Sequence, residues 1–329
     1  MKKQLVDWLC CPNCGGELHL NEAREANGEV ESGHLTCMGC GHIYPVVSFV
    51  PRFVPSENYT STFGFQWNRF RQTQLDSHSG LPISRERFFR ETGWTSDDLT
   101  GKKVLDMGCG AGRFAEVALS SGAVVVGVDY SSAVDACWQN LGQHPNLHLI
   151  QADIYALPFH PKRFDFVYCL GVLQHTPDVK RAFMALPTQL RRGGRLAVDL
   201  YPKLPGNIHL LWPRYWLSPL TKSMPLSQLF RLVQAMVKFL LPVSILIGRI
   251  PLLGCKLRYV IPVANYEGVY PLSRTQLREW AILDTFDMLA STYDQPQSVK
   301  TLRGWFSLAD FREIEVFRMG LLVGRGVRC

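Results

Sequence analysis

The sequence predicts an α/β chain: a parallel sheet crossed by helices, preceded by a small cysteine-bound metal module. Three observations carry this: two Cys-x-x-Cys pairs near the N-terminus, a strand, glycine turn and helix at residues 104–114, and successive apolar runs that end in an acid. The chain of 329 residues has room for two domains. Its 47% apolar and 19% charged residues can bury a large core, which excludes a disordered or collagen-like chain. Thirty-five Lys and Arg against 28 Asp and Glu leave +7, a balance that suits anionic small molecules without demanding a polyanion. The ten cysteines follow no signal-peptide pattern, since the apolar stretch after Met1 breaks at Asp7, and a reducing, cytoplasmic setting is expected. The longest apolar run, Phe239 to Gly248, contains Pro242 and is about half of a membrane span, so no transmembrane helix is predicted. Residues 1–55 read as the metal module, 56–100 as a connecting or lid segment, and 101–329 as the sheet domain, with an insert at about 202–279.

The first pair is Cys11-Pro12-Asn13-Cys14 and the second Cys37-Met38-Gly39-Cys40. Two residues between thiolates let a tight turn aim both sulfurs at one tetrahedral ion, and Gly15-Gly16 and Gly41 supply the backbone freedom. Together they make a four-cysteine zinc ribbon, with Cys11 chosen over its neighbour Cys10 because it gives the standard spacing. A segment of about 50 residues has too little core to fold unaided, so the zinc is structural and its coordination closed. The stretch Cys40-Gly41-His42-Ile43-Tyr44-Pro45-Val46-Val47, followed by Val50-Pro51-Arg52-Phe53, resembles the small zinc-ribbon family that includes activators of tRNA and release-factor methyltransferases. The resemblance spans about residues 5–53 and implies that a methyltransferase accompanies the ribbon.

From Lys102 the chain reads Val104-Leu105-Asp106-Met107-Gly108-Cys109-Gly110-Ala111-Gly112-Arg113-Phe114. Alternate glycines allow a sharp turn and close approach of a ligand to the following helix N-terminus. Arg113 stands where a dinucleotide fingerprint needs a small residue, and Asp106 at the strand end suits an ammonium better than a pyrophosphate. The second strand, Val124 to Asp129, ends in an acid placed for ribose hydroxyls; the third, Leu147 to Asp153, ends in an acid followed by Ile154, suited to an adenine amine and ring face. A fourth strand covers Phe164 to Gly171, and a fifth, Arg195 to Tyr201, follows Gly193-Gly194. Each acid alone could equally cap the next helix, but three in register are harder to dismiss.

This ordered pattern, over about residues 101–201, resembles the class I S-adenosylmethionine-dependent methyltransferases. The resemblance implies a Rossmann-like seven-stranded sheet of order 3-2-1-4-5-7-6, with Glu313 to Arg318 and Leu321 to Val327 as the last two strands. It assigns Asp106 and the backbone of Gly108, Gly110 and Gly112 to the methionine part of the cofactor. Asp129 takes the ribose with Tyr130 beside it, Asp153 and Ile154 take the adenine, and Leu170-Gly171 lie near the transferable methyl. Phe63-Gly64-Phe65-Gln66-Trp67 reads either as a lid over the cofactor or as an aromatic joint between ribbon and core.

After strand four the chain has Cys169-Leu170-Gly171-Val172, where amino-group methyltransferases of nucleobases carry an Asn/Asp-Pro-Pro-aromatic motif, and that class is disfavoured. Cys169 reads as core. The position of His175 resembles that of a histidine in small-molecule methyltransferases of the quinone-biosynthesis type, where an imidazole can deprotonate a hydroxyl; fixing the loop is the alternative. Tyr201 and Asp199 face the same region. The insert, with Leu210 to Trp216 and an amphipathic stretch from Leu226 to Leu241 bearing Arg231 and Lys238, is apolar, aromatic and basic. It suits a lipid-like or anionic acceptor and peripheral lipid contact. Asp284, Asp287 and Trp305-Phe306 are read as bordering the acceptor pocket or as structural. The expected function is methyl transfer from S-adenosylmethionine to a small-molecule or sugar/lipid-type acceptor, at oxygen. RNA methylation and a cofactor-binding adaptor are the alternatives. The ribbon weakens the RNA reading, since Arg24, His19 and His34 stand among Glu17, Glu22, Glu25, Glu29 and Glu31.

Overall fold

A computed structural model describes residues 1–55, 58–203, 206 and 213–329. Leu210 to Trp212 of the aromatic stretch lie outside the described residues. Strands β1 (Leu18–Ala26), β2 (Glu29–Cys37), β3 (Ile43–Val47) and β4 (Val50–Pro51) form an antiparallel sheet in that order. Helices α1 (Ser61–Arg69), α2 (Asp76–Ser79), α3 (Ile83–Thr92) and α4 (Ser96–Leu99) follow. Then strands and helices alternate: β5 (Lys103–Met107), α5 (Arg113–Ser120), β6 (Val124–Asp129), α6 (Ala133–Leu141), β7 (Leu147–Gln151), β8 (Phe164–Cys169), α7 (Val179–Gln189) and β9 (Leu190–Leu200). The C-terminal part holds α8 (Pro213–Thr221), α9 (Leu226–Gly248), α10 (Gly254–Leu257), α11 (Arg274–Ala290), α12 (Val299–Leu308), β10 (Phe311–Met319) and β11 (Leu321–Arg328).

The second sheet has the order β10-β11-β9-β8-β5-β6-β7, which is the order the resemblance implies. From β9 to β7 the neighbours are parallel, while β11 and β10 run antiparallel at the far edge. Helices cover the parallel strands on both faces, so Val104, Leu105, Val125, Val126 and Val128 are fully buried, the reason these strands read as unbroken apolar runs.

Two elements differ from the sequence reading. Strand β9 begins at Leu190 rather than Arg195: its register against β8 slips between Phe164 and Phe166, and Arg191 in the bulged stretch pairs with Asp165 at 2.7 Å. Helix α9 joins the amphipathic stretch and the apolar run into one helix of 23 residues. Pro242 faces solvent, where its missing N–H and the strain of its ring are least costly. By length and composition α9 could cross a membrane. In the fold, however, Leu229, Phe230, Val233, Val237 and Leu241 pack with Leu277, Ala281, Ile282 and Phe286 of α11.

The ribbon closes the open edge of β7. Arg52 forms a parallel bridge with Gln151, and the Phe53 N–H donates to the Gln151 carbonyl at 2.8 Å. The Arg52 guanidinium reaches the Gln151 side chain at 2.9 Å and Asp135 at 2.5 Å, and Phe49 stacks on Trp138 with ring centres 4.6 Å apart. Lys2 donates to the Leu147 carbonyl, and the Cys10 N–H to that of Pro158. A bare parallel edge would invite pairing with another chain, and here it is covered.

Candidate active site

The loop between β5 and α5 is built on positive backbone angles that only glycine adopts cheaply: φ is 85° at Gly108, 52° at Gly110 and 95° at Gly112. The N–H groups of Gly108 and Cys109 both donate to the Val128 carbonyl, at 2.7 and 3.0 Å, which ties the loop to β6. A Cβ on Gly108 would stand 2.2 Å from Val172 Cγ2, and one on Gly110 would touch the Trp67 indole at 3.4 Å. Helix α1 therefore lays Trp67 across the loop. Gly108→Ala is expected to lower stability by about 2–5 kcal/mol, from the left-handed backbone plus the clash, and to remove ligand binding. Thermal melting with and without cofactor reads both.

Beneath this loop lies Asp106, 2% exposed, with Oδ2 lacking a hydrogen-bond partner among the described residues. Burial pushes its carboxyl up to about 8, with the Tyr168 hydroxyl opposing and Asp129 adding. A buried acid with an oxygen that no described residue answers has the chemistry to accept a cationic donor. On the next strand Asp129 is answered: Oδ2 accepts from the Gly110 N–H at 2.9 Å, and Oδ1 from the Ser131 N–H and hydroxyl at 2.8 and 2.7 Å. Burial raises its pKa while these bonds oppose. Asp153, just past β7, accepts from the Tyr155 N–H at 2.9 Å, and Ile154 beside it is buried. The Tyr130 ring meets Tyr59 at 5.2 Å, and its carbonyl accepts from Gln151 at 3.1 Å. Because β5, β6 and β7 are parallel neighbours, the three acids share one edge of the sheet. Leu170, buried, and Gly171, exposed with φ 77°, sit at the end of β8 beside them.

His175 lies in the short turn Leu173–His175 after β8, almost buried. Its ring meets Phe63 of α1 at 5.2 Å and Tyr201 edge-on at 5.5 Å. Nδ1 is 2.9 Å from the Tyr293 carbonyl. A carbonyl only accepts, so Nδ1 carries the proton and Nε2 of the neutral ring is an acceptor. This is the tautomer that a general base needs.

Asp199 is withdrawn from such a role. It is fully buried, accepts from the Gly171 N–H, and pairs at 2.5 Å with Arg87, which also holds Glu91 at 3.0 Å. Asp284 is tied to the Tyr266 hydroxyl in another buried cluster, and burial raises its carboxyl to about 6. Trp305 and Phe306 pack against Phe183 in the core rather than bordering a pocket, and Cys169 is fully buried. The Tyr293 and Arg87 partnerships had no sequence signal: they join positions 118 and 112 residues apart.

In the ribbon the sulfurs of Cys11, Cys14, Cys37 and Cys40 lie within 4.8 Å of one another, with Cys11–Cys40 at 3.7 Å and Cys14–Cys37 at 3.4 Å. Sulfurs bound tetrahedrally to zinc are spaced by about 3.8 Å, so the set fits the ion, and four sulfurs leave no open position. The Tyr44 hydroxyl sits 3.2 Å from Cys11 Sγ, and the Cys40 N–H donates to Cys37 Sγ at 3.4 Å, steadying the ligands. A Cβ on Gly16 would press within 3.1 Å of Cys37 Sγ. Cys10 stays outside this group.

Residues 105–198 match a family model described as a methyltransferase domain, and residues 2–47 one described as Trm112p-like protein. Ubiquinone biosynthesis O-methyltransferase of Coxiella burnetii (strain RSA 493 / Nine Mile phase I) is 37% identical over 100 residues, 30% of this chain and 43% of the relative. That of Thiobacillus denitrificans (strain ATCC 25259 / T1) is 38% identical over 104 residues, 30% of this chain and 44% of the relative. The chain thus spans less than half the length of these curated relatives. Among solved structures, human N-acetylserotonin methyltransferase is 14% identical with a TM-score of 0.46, covering 84% of this chain and 60% of that one. A complex of the Haloferax volcanii Trm112 methyltransferase activator with a methyltransferase is 12% identical with a TM-score of 0.45, covering 83% and 98%.

Proposed function

We propose that this chain, a Trm112p-like domain joined to a methyltransferase domain, transfers a methyl group from S-adenosylmethionine to a hydroxyl of a small-molecule or lipid-type acceptor. The observation that carries the reading is the buried Asp106 oxygen under the glycine loop, which no described residue answers, aligned with Asp129 at the end of β6 and Asp153 just past β7. These residues fit the cofactor: an ammonium for Asp106, ribose hydroxyls for Asp129 and Tyr130, an adenine amine for Asp153 and its ring for Ile154. Gly108, Gly110 and Gly112 let the backbone approach the amino-acid tail, and Leu170 lies at the methyl end. When bound, the cofactor supplies a sulfonium methyl for in-line displacement.

The chain's part is positioning and one proton. Trp67 and Phe63 of α1 cover the loop and His175 and so exclude water. His175 Nε2 takes the proton of the acceptor hydroxyl while the Tyr293 carbonyl holds Nδ1–H, and Tyr201 flanks the ring. Phe65 of α1 packs against Phe230 of α9 and Phe286 of α11, which joins the insert to the helix that covers the site. The named activity of the curated relatives, O-methylation, favours oxygen as the target. The four cysteines hold zinc structurally.

Calorimetric titration with S-adenosylmethionine, run beside Asp129→Ala, tests the site, and labelled methyl offered with a metabolite or RNA extract tests the acceptor. Label in the small-molecule or lipid fraction supports the reading; label in RNA, or no cofactor binding to zinc-loaded protein, overturns it. His175→Ala is expected to lower kcat by about 10²–10⁴-fold with cofactor affinity unchanged. An equal loss in binding would make His175 a structural residue.

A further inference from the structure

The insert carries a second apolar surface that the proposed chemistry does not use. One face of α9 is buried on α11, yet Leu232, Phe239, Val243, Leu246 and Ile250 are exposed, Phe239 by 67% and Leu246 by 69%. The first four, spaced by 7, 4 and 3, lie on a single stripe of a helix with 3.6 residues per turn, and Ile250 opens the turn that follows. Arg231, Lys238 and Arg249, spaced by 7 and 11, form a neighbouring stripe, all exposed. Arg249 contacts Glu267 at 3.3 Å.

The turn after α9 continues the surface. Leu252 is 95% exposed and held at φ 67°, a left-handed backbone that a leucine adopts at a cost, and Leu253 beside it is 59% exposed. Tyr259 and Val260 follow, both exposed. Between Asp199 and Glu267 the sequence contains no acid but eight basic residues, among them the exposed Lys222 and Lys256. A chain of +7 would reach that value without clustering; here the cations fall in the same segment as the exposed apolar groups.

We infer that α9 and the Ile250–Leu253 turn seat the protein on the surface of an anionic lipid bilayer. The apolar stripe and Leu252-Leu253 enter the interface, and the basic stripe meets the headgroups. Charge complementarity selects the occupant. The helix lies on the bilayer and does not span it, because its opposite face is committed to α11. This is independent of the methyl-transfer reading.

The test is sedimentation of the full zinc-loaded chain with vesicles of phosphatidylcholine alone and of phosphatidylcholine mixed with phosphatidylglycerol. Binding is expected to the mixed vesicles, weakened by salt, and at least tenfold poorer to the neutral ones. Lys238→Gln and Arg231→Gln should each cost about fivefold in affinity. Leu252→Asn is the decisive variant, because asparagine suits a left-handed backbone: its melting temperature should stay level or rise while vesicle affinity falls. Phe239→Glu should also release the protein. Equal binding to both vesicle types, no binding to either, or unchanged affinity in well-folded Leu252→Asn and Phe239→Glu overturns the proposal. So does attachment that resists alkaline carbonate extraction, which would mean a spanning helix.

Discussion

Asp106→Asn is expected to weaken S-adenosylmethionine binding by more than about 100-fold, since breaking a buried ion pair costs about 3–5 kcal/mol. In the unliganded protein the Asp106 carboxyl lies near 8 and is mostly protonated at neutral pH. An ammonium needs the carboxylate, so binding must expel that proton. Affinity should therefore rise about tenfold per pH unit as pH climbs towards about 8, until the cofactor's own amine, near 8, begins to lose its charge. Titrations in buffers of different ionisation enthalpy should show nearly one proton released at neutral pH. No release would mean that Asp106 does not receive the ammonium.

The sign for stability is opposite. A carboxyl raised in the folded state keeps a proton that the unfolded chain has already lost, so stability falls as pH rises from about 4 to about 8. Glu91, pushed up to about 8 by burial and by Asp199, adds to the same fall. Melting curves of Asp106→Asn should accordingly lose part of this slope and keep the part due to Glu91.

Removing zinc should have effects beyond the ribbon. Structural zinc in small fingers contributes about 10–16 kcal/mol of folding free energy, and with it gone the ribbon no longer covers β7. The chelated protein is expected to aggregate through that edge. Its affinity for cofactor should fall as well, by roughly tenfold, because Arg52 holds Gln151, and Gln151 holds the Tyr130 carbonyl next to Asp129. Cys37→Ser should reproduce this. Zinc release by a chromogenic chelator, followed by light scattering and cofactor titration, decides: full zinc loss with both properties intact would refute the coupling.

The elements legible in the sequence were those specified by short-range chemistry. The cysteine pairs needed only their spacing and adjoining glycines, and the parallel strands showed themselves as apolar runs closed by Asp106, Asp129 and Asp153. The place of His175 after strand four is legible in sequence, but its tautomer is not, since the Tyr293 carbonyl arrives from 118 residues away. In sequence Asp199 is no different from His175 as a candidate; its pairing with Arg87, 112 residues away, exists only in the fold. In sequence the amphipathic stretch to Leu241 and the apolar run from Phe239 read separately, whereas α9 joins them through Pro242, which is tolerated on the solvent side of a packed helix.

The order of the two sheets along the chain also has a temporal meaning. Cys40 completes the zinc site 111 residues before Gln151 ends the strand on which the ribbon docks. At a synthesis rate of about 5–20 residues per second, the ribbon has roughly 5–20 s to bind its metal and fold before its docking edge leaves the ribosome. It then meets that edge as a tethered neighbour, at an effective concentration of order millimolar. An edge strand of the nascent sheet is thus born beside its own finished cover, so assembly depends on the ribbon having taken up its metal by then.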